Sequence, residues 1–72
     1  MGQHFKIIIA GRNVEKWIGY SIQSLLGQKY KDWSAVVIDD DSTDKTYSIS
    51  NDLTKGHNII LVQNKERKKL VV

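Results

Sequence analysis

The sequence contains neither cysteine nor proline. Without cysteine, no disulfide and no thiolate-ligated metal can staple the fold, and the absence fits a reducing compartment. Without proline no stiff linker divides the chain, and no internal repeat or low-complexity tract marks a second domain. Long apolar runs are missing as well. The longest strand-like stretches are four to six residues, far below the ~20 that a membrane helix needs. No apolar stretch of signal-peptide length follows Met1-Gly2-Gln3-His4. A soluble, cytoplasmic domain with no membrane segment is expected.

At 72 residues such a chain buries only about 60% of the surface its unfolded form exposes, so its stability is marginal. The net charge is +3, and Lys65-Glu66-Arg67-Lys68-Lys69 accounts for all of it. The body is therefore neutral. A nucleic-acid binder spreads positive charge over a face, so confinement to one end argues against nucleic acid as a partner.

What is present alternates between strand and helix signals. Phe5-Lys6-Ile7-Ile8-Ile9-Ala10 is rich in branched apolar residues and predicts a strand covered on both faces. Gly11-Arg12-Asn13 ends it, and Asn13 is expected to cap a helix whose first turn holds Glu15. The stripe Ile18, Ile22, Leu25, Leu26 has helical spacing, with Trp17 beside it and Gly27 closing the segment. Ser34-Ala35-Val36-Val37-Ile38, entered from Trp33, predicts a second strand. Ser42 or Thr43 is expected to cap a second helix that carries Asp44 in its first turn, sets Ile49 and Leu53 on one face and stops at Gly56. Asn58-Ile59-Ile60-Leu61-Val62 predicts a third strand.

The order is β-α-β-α-β, an α/β unit whose crossovers make neighbouring strands parallel. Continuous apolar strands ask for helices on both faces, a three-layer α/β/α arrangement. A three-stranded sheet alone leaves two edges of unpaired backbone groups, through which copies can self-associate. The chain closes on Leu70-Val71-Val72, and residues 1–72 are expected to form a single partial domain, the amino-terminal part of a larger one.

Chemistry concentrates at Asp39-Asp40-Asp41. Adjacent carboxylates repel one another, and in a loop that cost suggests a function. Open α/β sheets bind ligands at the carboxyl ends of their strands. Alternation sends Asp39 and Asp40 in opposite directions, so at most one or two of the three face a shared ligand. Such a carboxylate can accept from a ribose hydroxyl or a base N–H, or hold a divalent metal. Alternatively, Asp41, Ser42 and Asp44 cap the next helix in a solvated turn. Gly11-Arg12-Asn13 opens at the same end: Gly11 permits close approach to backbone, Arg12 suits a phosphate, and the helix amino terminus favours anions. Only one glycine stands where a dinucleotide fingerprint requires three, and the plain alternative is an ordinary strand-to-helix turn. Asn64, directly after the third strand, belongs to this end too. His4 and His57 lack metal-ligand company at short spacing and read as surface residues. Trp17, Trp33 and Tyr30 read as core or rim packing. Lys65, Arg67, Lys68 and Lys69 read as a solvated helical face, with Arg67 a secondary candidate for a pyrophosphate.

Taken in order, these segments resemble the start of a family 2 glycosyltransferase of the GT-A fold. That family opens with an apolar strand into Pro-Thr-Tyr-Asn and a helix beginning with acidic residues and Tyr-Ile. The matching run here is Ile7-Ile8-Ile9-Ala10-Gly11-Arg12-Asn13-Val14-Glu15-Lys16-Trp17-Ile18. Its helix closes with Ser-Ile/Leu-Leu-x-Gln-x-Tyr, matched by Ser24-Leu25-Leu26-Gly27-Gln28-Lys29-Tyr30. A charged residue, an aromatic and a strand ending in Asp-Asp-Gly-Ser-x-Asp-x-Thr follow, matched by Asp32, Trp33 and Asp39-Asp40-Asp41-Ser42-Thr43-Asp44-Lys45-Thr46. Two departures stand out: Ala10 and Gly11 replace Pro-Thr, and Asp41 replaces glycine.

The resemblance implies the front half of a GT-A fold, with Ala10, Gly11, Arg12, Asn13, Asp39 and Asp40 clasping the nucleoside of a sugar nucleotide and Glu15 at the pocket mouth. It implies transfer of a sugar from a nucleotide-diphosphate donor, UDP-linked, to an acceptor hydroxyl. It also implies a divalent metal (Mn or Mg) on the pyrophosphate and a later carboxylate as general base. No Asp-x-Asp follows the third strand, and the pattern within Asp39-Asp40-Asp41 lies on the wrong strand to be that motif. Neither metal binding nor catalysis is expected of this chain alone. Three alternatives remain: a dinucleotide-binding domain, for which Asp39 falls 28 residues after Gly11, beyond the usual ~20; a receiver-type acidic pocket for magnesium; and a fold fragment with a non-catalytic role.

Overall fold

The computed structural model describes residues 4–65. Five elements follow one another: β1 (Phe5–Gly11), α1 (Ile18–Leu26), β2 (Trp33–Asp40), α2 (Thr46–Thr54) and β3 (Ile59–Asn64). The strands form one parallel sheet in the order β1-β2-β3. These are the order and register of the front half of a three-layer α/β/α sheet.

Each crossover steps the same way across the sheet. Right-handed connections then put both helices on one face, and the packing agrees. Ile18 and Ile22 of α1 close over Val37 of β2, with Ile9, Ile49, Leu53 and Leu61 around them. Leu25 closes over Trp33 and Ala35, against Ile7 and Ile59. The expected α1 stripe is thus the core stripe, and Ile22 is wholly buried. The other face of the sheet carries Ile8 and Ile60, 66% and 64% exposed. Its apolar strands account for the unbroken hydrophobic runs in the sequence, since both faces of a parallel sheet are built to be covered.

Several boundaries differ from expectation. The strands run further at their carboxyl ends: β1 includes Gly11, β2 reaches Asp40, and β3 reaches Asn64. The reason is pairing. Gly11 aligns with Asp39, Asp39 with Gln63, and Asp40 with Asn64, so the ladder holds these polar residues extended. Asp39 and Asp40 are therefore strand residues, not loop residues.

Neither helix is capped as expected. α1 begins only at Ile18, with Trp17 at its N-cap and no side-chain cap bond; Trp17 N–H and Ile18 N–H instead donate to Val14 O in a preceding turn. α2 begins at Thr46, and Asp44, not Ser42 or Thr43, accepts its first N–H. The most buried residues of α2 are also not the apolar ones. Thr46, Ser50 and Thr54 line the inside of that helix, where small side chains allow close packing, and Ser50 satisfies its hydroxyl on Thr46 O at 2.8 Å. Ile49 and Leu53 flank them, next to Gly19 of α1.

At the amino end of the strands His4 bridges Asp32 (2.7 Å) and Ser34 (3.0 Å), and Phe5 meets Tyr30 edge-on. The Asp-His-Ser order is that of a hydrolase triad. Here it is largely exposed and fastens the lead-in of β1 to β2. Trp33 is buried, while Trp17 and Tyr30 stay at the rim.

Candidate functional site

The carboxyl ends of the strands and the loops after β1 and β2 meet at one end of the sheet. Pleating divides the residues there. Ala10, Asp40 and Asn64 point to the open face, and Gly11, Asp39 and Gln63 to the helix face. Asp40 is half-buried and accepts a hydrogen bond from Asn64 Nδ2 at 3.0 Å. Asn64 is thus more than a neighbour at this end of the sheet, because it fixes one of the two carboxylate oxygens of Asp40.

Asp39 is only 1% exposed. One oxygen accepts the Ser42 N–H at 3.3 Å, and Oδ2 has no hydrogen-bond partner among the described protein groups. Asp39 therefore lies beneath the second loop and does not share a face with Asp40. Asp41 adopts a left-handed backbone (φ 56°), the conformation that makes glycine favourable at this position and that aspartate can also take. The substitution keeps the turn.

The two loops are laced together. Asn13 is also left-handed (φ 54°). Its N–H donates to Ser42 Oγ (2.9 Å), the Val14 N–H to Thr46 Oγ1 (2.8 Å), and the Glu15 N–H to Asp44 Oδ2 (3.3 Å). In return Asn13 Oδ1 accepts from the N–H of Thr43 (2.8 Å) and from its hydroxyl (3.3 Å). Asn13 is thus a loop tie and not a helix cap. These three amides are occupied by the protein itself.

Asp44 Oδ1 accepts from Thr46 N–H (2.9 Å) and from its hydroxyl (2.6 Å). Burial works against the ionised form of Asp44, but the hydrogen bonds from Thr46 and from the Glu15 N–H outweigh it and hold its carboxyl below the ordinary value. Gly11 sits close to Val14: a Cβ there would meet Val14 Cγ2 at 3.2 Å. Its lack of a side chain serves this local packing. Arg12 is exposed and Glu15 half-buried at the rim of the first loop. Among the described residues no group of three or more His, Asp or Glu is arranged to hold a metal ion, and Asp39 and Asp40 diverge. Arg67, Lys68 and Lys69 lie outside the described residues.

A family model described as Glycosyl transferase family 2 matches residues 6–71. The chain belongs to this family. Glycosyl transferase family 2 thus accounts for nearly the whole sequence, including both loops. "Putative glycosyltransferase EpsE" of Bacillus subtilis (strain 168) is 37% identical over 71 residues, covering 96% of this chain and 26% of that protein. "UDP-Glc:alpha-D-GlcNAc-diphosphoundecaprenol beta-1,3-glucosyltransferase WfaP" of Escherichia coli is 40% identical over 58 residues, covering 81% of this chain and 23% of that protein. The chain spans about a quarter of the length of these curated relatives. No helix among the described residues is long and apolar enough to cross a membrane.

Proposed function

We propose that this chain supplies the nucleoside-binding part of a glycosyltransferase that moves a sugar from a UDP-linked donor to an acceptor hydroxyl. The reading rests on one observation: in a family 2 chain, the ends of β1 and β2 set Gly11 beside Asp39 and turn Ala10 and Asp40 to the same open face, with Arg12 exposed in the first loop and Asn13 tied to Ser42 of the second. The UDP donor is suggested by the name of the Escherichia coli relative. Asp40, oriented by Asn64, is the acceptor for a base N–H or ribose hydroxyl on the open side. Ala10 keeps that face low enough for a flat base. Asp39 supports the second loop from beneath, and Arg12 and Glu15 border the mouth.

The Mn or Mg expected for such a transfer finds no fitting set of ligands among the described residues. The general base likewise comes from elsewhere, and the chain by itself binds nucleotide weakly and does not catalyse. We place the activity in the cytoplasm, in keeping with a cysteine-free sequence. Copies of the chain can associate through the outer edges of β1 and β3.

Calorimetric titration of the full chain with UDP tests this reading. Binding should appear, should persist in EDTA, and should weaken in Asp40→Ala. Tight NAD binding with no response to UDP would refute it.

A further inference from the structure

Three successive backbone N–H groups after a left-handed residue form a concavity that ordinarily attracts an anion. In this protein Asn13 is that left-handed residue, and the N–H groups of Asn13, Val14 and Glu15 are met by Ser42, Thr46 and Asp44. The anion is supplied from within, by the carboxylate of Asp44.

Thr46 is the pivot. Its hydroxyl has a single proton, and an ionised Asp44, which can only accept, takes it at 2.6 Å. The lone pairs of the hydroxyl are then directed at the Val14 N–H, 2.8 Å away. A carboxylate on the second loop thereby fixes an amide on the first. Val14 in turn lies against Gly11, which pairs with Asp39. The bonds from Ser42 N–H to Asp39 and from Asn13 N–H to Ser42 close the circuit. Ala10–Asn13 and Asp39–Asp40 are therefore held at a set separation by this network.

We propose that Asp44, Thr46 and Ser42 are positioning residues that preset the gap between the two halves of the nucleoside clasp, and that they exclude the donor diphosphate from the turn ahead of α1. This rests on the nucleotide-binding reading above and deepens it. Preorganisation of this kind raises affinity because the loops need not be ordered at the moment of binding.

The test compares Thr46→Val, which keeps the shape and removes the hydroxyl, with Thr46→Ser, which restores it. UDP affinity of the full chain is measured by calorimetry, with amide NMR spectra and circular dichroism alongside. Losing a hydrogen bond and stranding its partners should weaken UDP by about tenfold in Thr46→Val, while Thr46→Ser stays within about twofold of the parent. In Thr46→Val the amide resonances of residues 10–13 and 39–40 should move although the dichroism is unchanged. Unaltered UDP affinity in a folded Thr46→Val would overturn the proposal. Should Thr46→Val fail to fold, Ser42→Ala replaces it, with an expected loss of about threefold and the same overturning result. If the parent itself ignores UDP, the nucleotide reading fails. The positioning claim is then judged on the spectra: shifts reaching residues 10–13 and 39–40 support it, and shifts confined to 44–46 overturn it.

Discussion

Asp39 and Asp40 are adjacent in the chain yet face opposite sides of the sheet. Asp39 lies under the second loop with Ser42 N–H on one oxygen, while Asp40 takes the amide of Asn64 on the open side. Neighbouring carboxylates thus have separate surroundings: one supports a loop, and the other faces the open side beside Asn64. Pleating also moves the two charges apart, which makes the acidic run tolerable.

This separation predicts that Asp40→Ala weakens UDP by about tenfold while costing about 1 kcal/mol or less of stability, since one half-buried hydrogen bond is lost. Asn64→Ala should produce a smaller loss of affinity, because it frees Asp40 to turn without removing it. Paired calorimetry and urea denaturation would check both, and an Asn64→Ala chain binding as the parent does would show that the amide orients nothing.

The left-handed backbone at Asp41 gives a second expectation. A β-branched residue resists this conformation, so Asp41→Val should destabilise by about 1–2 kcal/mol. Asp41→Gly should not destabilise measurably, because glycine adopts the same shape freely. Equal urea midpoints for the two variants would contradict this account of the turn.

Asp44 sets a pH dependence. Its carboxyl is held below the ordinary value in the folded protein, so it binds protons less readily folded than unfolded. Its contribution to stability is present above the unfolded value of about 3.9 and disappears as pH falls through the lower folded value. Asp44→Asn should therefore differ from the parent at neutral pH and converge with it in acid. Urea midpoints across that range would read the convergence.

Gly19 lies within α1, and a Cβ there would meet Ile49 and Leu53 only at ordinary contact distances, 3.9 and 4.0 Å. Gly19→Ala should accordingly stabilise the protein by about 0.5–1 kcal/mol through helix propensity. A lowered thermal midpoint would mean that the two helices pack too closely there for a methyl group.

Much of this architecture is written locally. The run Phe5–Ala10, the stripe Ile18, Ile22, Leu25 and the run Ala35–Ile38 specify strand, helix and strand through side-chain periodicity alone. Glycine at 27 and 56 marks where the helices stop, and Gly56 does so with a left-handed backbone (φ 75°). The family motifs likewise locate both loops without any coordinates. Caps and strand ends were less legible. Asn13 has the composition of a cap, but its side chain is drawn to Thr43, 30 residues away, and no local pattern announces such a bond.

The sequence by itself determined the β-α-β-α-β order, the core stripe and the family, because these follow from local periodicity and short motifs. Only the tertiary structure decided how the acidic run is used. Pairing with Gly11, Gln63 and Asn64 kept Asp39 and Asp40 extended, and the helices packed on the side of Asp39 and left that of Asp40 open. Hydrogen bonds spanning some thirty residues made Asp44 and Thr46, at the start of α2, ties between the two loops as well. Those outcomes depend on which distant backbone groups lack partners once the sheet forms.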